Sequence, residues 1–154
     1  MNTSRMSPSY LGCLPASADS AKAAKASSIK RDTEPELALR RALFARGLRY
    51  RIDDDALPGR PDVVFRRARV VVFCDGDFWH GRNLGERVAK LRRGHNPRYW
   101  VAKIRSNKAR DDRTSADLTA AGWLVLRFWE SDVRANAKKL AGTVHRAVRR
   151  RQLT

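Results

Sequence analysis

Apolar positions along the chain change period several times, and each change marks an element. Leu39, Leu43 and Phe44 recur at the spacing of one helix face. Thr33 followed three residues later by Glu36 fits a capping box, Pro35 fits a first helical turn, and Gly47 fits a C-terminal stop. Tyr50-Arg51-Ile52 predicts a short strand, and Leu57-Pro58-Gly59-Arg60-Pro61 predicts a loop. Asp62-Val63-Val64-Phe65 and Val70-Val71-Val72-Phe73 are β-branched apolar runs around the basic turn 66–69, which predicts a hairpin in a buried sheet. Cys74 to about Asn96 reads as irregular. Pro97 to Ala121 reads as a long helix ending before Gly122, and Trp123 to Trp129 as a strand. Asp132 to about Arg151 predicts a closing helix with Val133, Leu140, Val144 and Val148 inward. The order is α, β, β, β, α, β, α, with no internal repeat.

The 154 residues suit one domain. Residues 1–31 are rich in Ser and Ala with scattered Lys and Arg and little apolar periodicity. They are expected to form a mobile basic arm with a short helix near 21–26. It is either a plain leader or an arm that folds onto DNA. Residues 32–154 form the folded domain. Thirty-three basic residues against sixteen acidic ones leave a net charge of +17, which points to a polyanionic partner. A hydrophobic fraction of 42% is enough for a packed core, so the charge does not signify a wholly disordered chain. No apolar run approaches the roughly 18 residues of a membrane span, and no apolar leader stands at the N-terminus. Cys13 and Cys74 are too few for a disulfide framework or a cysteine-rich zinc site, so a reduced, cytoplasmic protein is expected.

In so basic a chain, acids at strand ends stand out. Asp62 opens one strand, while Asp75 and Asp77 follow the next. Carboxylates converging there would repel a phosphate unless a divalent cation lay between, and magnesium takes one or two carboxylates, waters and phosphate oxygens. Glu36 can add a ligand through water, and His80 is close enough to transfer a proton. The alternative is that these acids are turn and cap residues. Phe78-Trp79, between Gly76 and Gly81, either folds back on the core or forms a wedge between base pairs, with Tyr99-Trp100 a second such pair. The stretch 82–113 is dense in Lys and Arg with aromatics interleaved, which suits a DNA backbone surface. On the long helix Trp100, Ile104, Asn107 and Asp111 share one face, apolar at one end and polar at the other. His95 and His145 lack partners and read as loop and helix-surface residues.

Five blocks together resemble the very-short-patch repair (Vsr) endonucleases: Leu57-Pro58-Gly59-Arg60-Pro61-Asp62; Val71 to His80; Trp100 to Asn107 with Arg110-Asp111; Gly122-Trp123; and Phe128-Trp129-Glu130. The resemblance runs from about Thr33 to Arg150. It implies an α/β fold of the restriction-endonuclease-like PD-(D/E)XK type, a mixed central sheet flanked by helices. It implies magnesium-dependent nicking of duplex DNA 5′ of the thymine in T·G mismatches left by 5-methylcytosine deamination. Carried over by position, Asp62 and the backbone carbonyl of Cys74 look like metal ligands, His80 like the histidine that activates water, and Glu36 like the first-helix glutamate near the metal. Phe78, Trp79 and Trp100 match the intercalating aromatics, and Asn107 and Asp111 match polar positions facing the site. Arg60 and Lys103, within the matching blocks, are counted with the DNA-binding residues.

Two departures from the pattern matter. Asp75 stands where the family has a histidine, which either adds a direct metal ligand or alters the protonation chemistry. The family's zinc, held by three cysteines and a histidine, has as its counterparts Asp77, Arg82, Leu84 and Ser131, none a soft zinc ligand. No structural zinc is expected, and the loop after His80 must be held by other means. The resemblance further implies a monomer working on double-stranded DNA near the bacterial nucleoid, functionally linked to a cytosine-5 DNA methyltransferase. A nuclease of the same fold with a restriction-type target is the second reading. A non-catalytic DNA-binding protein is the third, opposed by Glu36, Asp62 and His80.

Overall fold

The computed structural model describes residues 32–52, 54–77 and 80–154. The expected basic arm with its short helix, and the Phe78-Trp79 pair, lie outside the described residues. Helix α1 (Glu34–Ala45) begins as its sequence predicts. Thr33 Oγ1 accepts from the Glu36 N–H at 3.5 Å, and the Glu36 carboxylate returns to the backbone N–H of Asp32 at 3.1 Å, one residue short of a standard capping box. At the far end Gly47 takes φ +79, and the Gly47 and Leu48 N–H groups close back on Phe44 and Leu43 carbonyls.

Strands β1 (Val63–Phe65), β2 (Val70–Asp75) and β3 (Leu124–Trp129) form a three-stranded mixed sheet in the order β1-β2-β3. β1 runs antiparallel to β2, pairing Val63 with Val72, and β3 runs parallel to β2, pairing Val70 with Leu124 through Asp75 with Trp129. The expected strand at Tyr50-Arg51-Ile52 reduces to one bridge between Arg51 and Val64. Asp54 explains the shortening. Its carboxylate accepts from the Ala56 N–H at 3.1 Å and from Arg66 at 2.5 Å, which turns the chain away from the sheet edge.

The central strand is covered on both faces, which is why its sequence is an unbroken apolar run and not an alternating one. On one face Val63, Phe65, Val70, Val72 and Cys74 pack with Leu39 and Leu43 of α1 and with Val133, Val144 and Val148 of α4 (Glu130–Gln152). On the other, Val64, Val71 and Phe73 pack with Trp123 and with Leu118 of α3 (Pro97–Ala120). Each fully buried valine contributes on the order of 1.5–3 kcal/mol relative to exposure. Leu140 is only partly buried against this core.

The segment expected to be irregular after Cys74 contains a helix, α2 (Leu84–Arg92). Its apolar spacing Leu84, Val88, Leu91 is helical, but only Val88 is buried, and Gly85 and four charged residues dilute the pattern. Helix α4 starts two residues before the expected Asp132 and breaks at Asn136 (φ −160, ψ 77). The Asn136 carboxamide oxygen accepts from the Lys139 N–H at 3.1 Å and so caps the second segment from within.

Candidate active site

The strand ends supply the first residues. Asp62 lies just before β1, and its backbone N–H donates to the Val72 carbonyl of β2 at 3.0 Å. That fixes its side chain beside the end of β2, where Oδ2 accepts from the Cys74 N–H at 2.6 Å. Burial pushes the Asp62 carboxyl up to about 7; the Cys74 N–H opposes the shift, while the charges of Glu36 and Asp75 reinforce it. Glu36 is held above its ordinary value, first by burial, against the opposing charge of Arg40. Arg40 bonds Glu36 at 3.3 Å and Asp32 at 2.5 Å. Glu36 and Asp75 are thus near enough to Asp62 for their charges to raise its pKa, whereas Asp77, expected with them at the strand ends, accepts from Ser131 instead. Glu36 also has the cap role that its position in α1 allows.

His80 meets the strand ends from the loop after β2. Its N–H closes a turn onto the Gly76 carbonyl at 3.1 Å. Its Nδ1 lies 2.5 Å from Asp111 Oδ2 and 3.7 Å from Asp75 Oδ1. Burial alone would lower the imidazole pKa, but the hydrogen bond to Asp111 and the charges of Asp75 and Asp111 outweigh it, and the pKa is raised. Burial likewise opposes ionisation of Asp111, and here the bond to His80 wins and lowers its pKa. The polar end of the α3 face thus reaches the site, with Ile104 on the same face fully buried.

Asp75 is buried and does not stand free. Arg127 Nη1 contacts both its oxygens, at 3.0 and 3.1 Å. Burial raises the Asp75 pKa, and the charges of His80 and Arg127 partly offset that. The Cys74 thiol is buried and its pKa is pushed up, first by burial, so it is not a ready nucleophile or soft ligand.

Of the expected DNA contacts, Arg60 is exposed at φ +49 and lies 3.8 Å from Asp55. Trp100 is half-buried, edge-on to the buried Tyr99, with the Lys103 ammonium 5.5 Å from its ring. Desolvation lowers the Lys103 pKa. Asn107 is half-buried. His95 is exposed, and His145 lies on α4 against Arg46 and Arg149.

A sequence model of the family described as DNA mismatch endonuclease Vsr matches residues 17–86. The type II nicking enzyme V.NmeDIP of Neisseria meningitidis serogroup C is 43% identical over 126 residues, covering 82% of this chain and 84% of that protein. This chain belongs to the Vsr endonuclease family. It is a DNA endonuclease. The type II nicking enzyme V.HpaIIP of Haemophilus parainfluenzae is 39% identical over 127 residues, covering 82% of this chain and 89% of its own. The DNA mismatch endonuclease Vsr of Escherichia coli K12 is 38% identical over 108 residues, covering 70% and 67%.

Of the four residues that the resemblance sets against the family's zinc ligands, Asp77, Arg82 and Ser131 are joined by hydrogen bonds. The Ser131 N–H and hydroxyl both donate to the Asp77 carboxylate, at 3.2 and 2.5 Å. Arg82 Nη1 donates to Ser131 Oγ at 2.6 Å and pairs with Asp132 at 3.0 Å. Asp77 thereby caps α4 from a distant loop, where Trp129 at the cap position offers no side-chain acceptor. That cap explains the early start of α4. Burial opposes ionisation of Asp77, and the Ser131 bonds and Arg82 overcome it and lower its pKa. Sequence reasoning missed Arg127 altogether. The available signal was a charged residue on the strand face that otherwise carries the apolar Val125.

Among the described residues, no group of three or more His, Cys, Asp or Glu has metal-holding geometry. The oxygen donors Asp62 and the Cys74 carbonyl fit magnesium, which keeps most of its waters and needs no all-protein cage. The raised Asp62 pKa fits the same picture, since a nearby cation would relieve the crowding of carboxylates.

Proposed function

We propose that this Vsr-family endonuclease nicks duplex DNA 5′ of the thymine in T·G mismatches, with magnesium, to start very-short-patch repair, on a PD-(D/E)XK-type fold. The observation that carries the catalytic part is the His80–Asp111 contact, with Asp75 3.7 Å from His80 and its charge in turn felt by Asp62. Asp62 and the Cys74 carbonyl would hold magnesium, which when bound neutralises phosphate charge and activates water. With Nδ1–H donated to Asp111, the His80 ring is locked in one tautomer and orientation. Its Nε2 then takes the proton of the attacking water. Glu36, with Arg40 against it, adds negative charge near Asp62 and serves an outer role through water.

Mismatch preference is assigned to Phe78, Trp79 and Trp100 as wedges, because unstacking costs least where pairing is already weak. Asn107, Arg60 and Lys103 supply contacts to DNA, and Asp111, at the polar end of the helix face that carries Asn107, meets His80. The loop after His80 is held by the Asp77–Arg82–Ser131 bonds in place of zinc. The names of the relatives, mismatch endonuclease and type II nicking enzymes, support a single-strand cut. The charge of +17 supports a DNA substrate, and no described helix is long and apolar enough to cross a membrane. We place the enzyme in the cytoplasm, as a monomer linked functionally to a cytosine-5 methyltransferase.

The test is a nicking assay on matched and T·G duplexes, with magnesium or with a chelator. Cutting of the T·G duplex alone, and only with magnesium, is expected. Equal cutting of matched DNA would overturn the mismatch part and favour a restriction-type target.

A further inference from the structure

The sheet face beneath α3 changes character along its length. Val71, Val125, Leu118 and Trp123 are apolar, and the next pair in register, Phe73 with Arg127, introduces a cation. Arg127 stands in the middle of β3, with only 22% of its side chain exposed. Such a residue loses hydration and rotamer freedom, so its fork must be well used. Every branch of it is engaged. Nε donates to Ser115 Oγ at 2.8 Å, Nη2 to the Asp111 carbonyl at 3.3 Å, and Nη1 to both oxygens of Asp75. The guanidinium carbon sits 4.0 Å from the Phe73 ring centroid, so the plane is supported from below.

Those partners lie on two elements that must be registered for the site to exist. Asp75 ends β2, five residues before His80. Asp111 and Ser115 are one turn apart on α3, so a single fork grips that helix at two successive levels. The carboxylate of Asp111 is the group that meets His80 Nδ1. A small slide or rotation of α3 would carry it away from the ring.

We infer that Arg127 is a positioning residue: it locks α3 to the end of β2 so that Asp111 holds His80 in its working orientation. Asp75 is the counter-charge that seats Arg127. This rests on the reading of His80 and Asp111 as the proton-transfer pair. Arg127 makes no hydrogen bond to His80; its charge opposes the rise in the His80 pKa, and its positioning effect on the ring passes through Asp111.

The test is a double-mutant cycle on single-turnover nicking, with wild type on the same duplex as reference, and with DNA affinity and thermal stability measured for each protein. Arg127→Gln is expected to slow nicking by about 10–100-fold, the usual effect of removing an outer partner of a functional histidine. DNA affinity should change less than about threefold. Asp111→Asn should slow nicking comparably, and the double variant no further than Asp111→Asn alone. If Arg127→Gln is too unstable to study, the cycle is run on Arg127→Lys, which keeps the buried charge against Asp75 and loses the fork that reaches Ser115 and the Asp111 carbonyl. Losses that multiply in the double variant would overturn the inference, since Arg127 would then act elsewhere. Normal nicking by Arg127→Gln beside slow nicking by Asp111→Asn would overturn it alone. Normal nicking by Asp111→Asn would overturn it together with the proton-transfer reading.

Discussion

His80 Nδ1 and Asp111 Oδ2 lie 2.5 Å apart across thirty-one residues of sequence. One comes from a loop after a strand, the other from the middle of a long helix, and each shifts the other toward its charged form. A pair so arranged orients the imidazole and fixes which nitrogen faces outward. Replacing Asp111 by Asn keeps the shape and removes the charge. Single-turnover nicking should fall by about 10–100-fold, with DNA affinity nearly unchanged. A parallel loss of affinity would place Asp111 in DNA binding instead.

Asp62 is the second point of test. An Asn there still accepts from the Cys74 N–H, so the fold should persist. Cleavage should fall by at least about a hundredfold through loss of metal-assisted stabilisation. Binding to duplex DNA should survive or tighten, because a carboxylate facing phosphate is removed. Normal cutting by Asp62→Asn would refute its role as metal ligand.

The cap of α4 by Asp77 makes a separate statement about stability. Asp77→Ala removes the acceptor for the Ser131 N–H and hydroxyl and strips Arg82 of one partner. A loss of about 0.5–2 kcal/mol is expected, the range for removing a cap acceptor, read from chemical denaturation. A chelator should stop nicking without lowering the melting temperature. One equivalent of tightly held zinc, or a melting temperature that falls with chelation, would contradict the hydrogen-bonded replacement.

Much of this architecture could be read from the chain, and the exceptions have local causes. Thr33, Glu36 and Gly47 gave α1 its ends because caps are short-range chemistry. The run Val70–Phe73 announced a strand in a buried sheet. Tyr50-Arg51-Ile52 failed as a strand because Asp54 turns the chain, a side-chain effect that β-propensity does not carry. Helix α2 was overlooked because a partly exposed helix with few buried residues has a weak apolar period. Of the residues brought together at the candidate site, Asp62, Asp75 and Asp111 could be singled out because they sit at strand ends or on a helix face, and His80 because it follows Asp75 by five residues in a loop. Arg127 and the Asp77–Ser131 bonds were not, because each joins elements about fifty residues apart that only the fold brings together.

Phe78 and Trp79 carry the proposed discrimination. Truncating both to Ala should weaken binding to T·G duplexes more than to matched ones, narrowing the affinity ratio. An unchanged ratio in a destabilised protein would make them core residues and reject the wedge.

The most direct measurement is single-turnover nicking of a T·G duplex by His80→Gln beside wild type, with magnesium, and with DNA affinity recorded for both. A positioned general base contributes about 10²–10⁴-fold. The account predicts a loss of that size, with affinity within about threefold and folding intact. Nicking at the wild-type rate by a folded His80→Gln protein would contradict it.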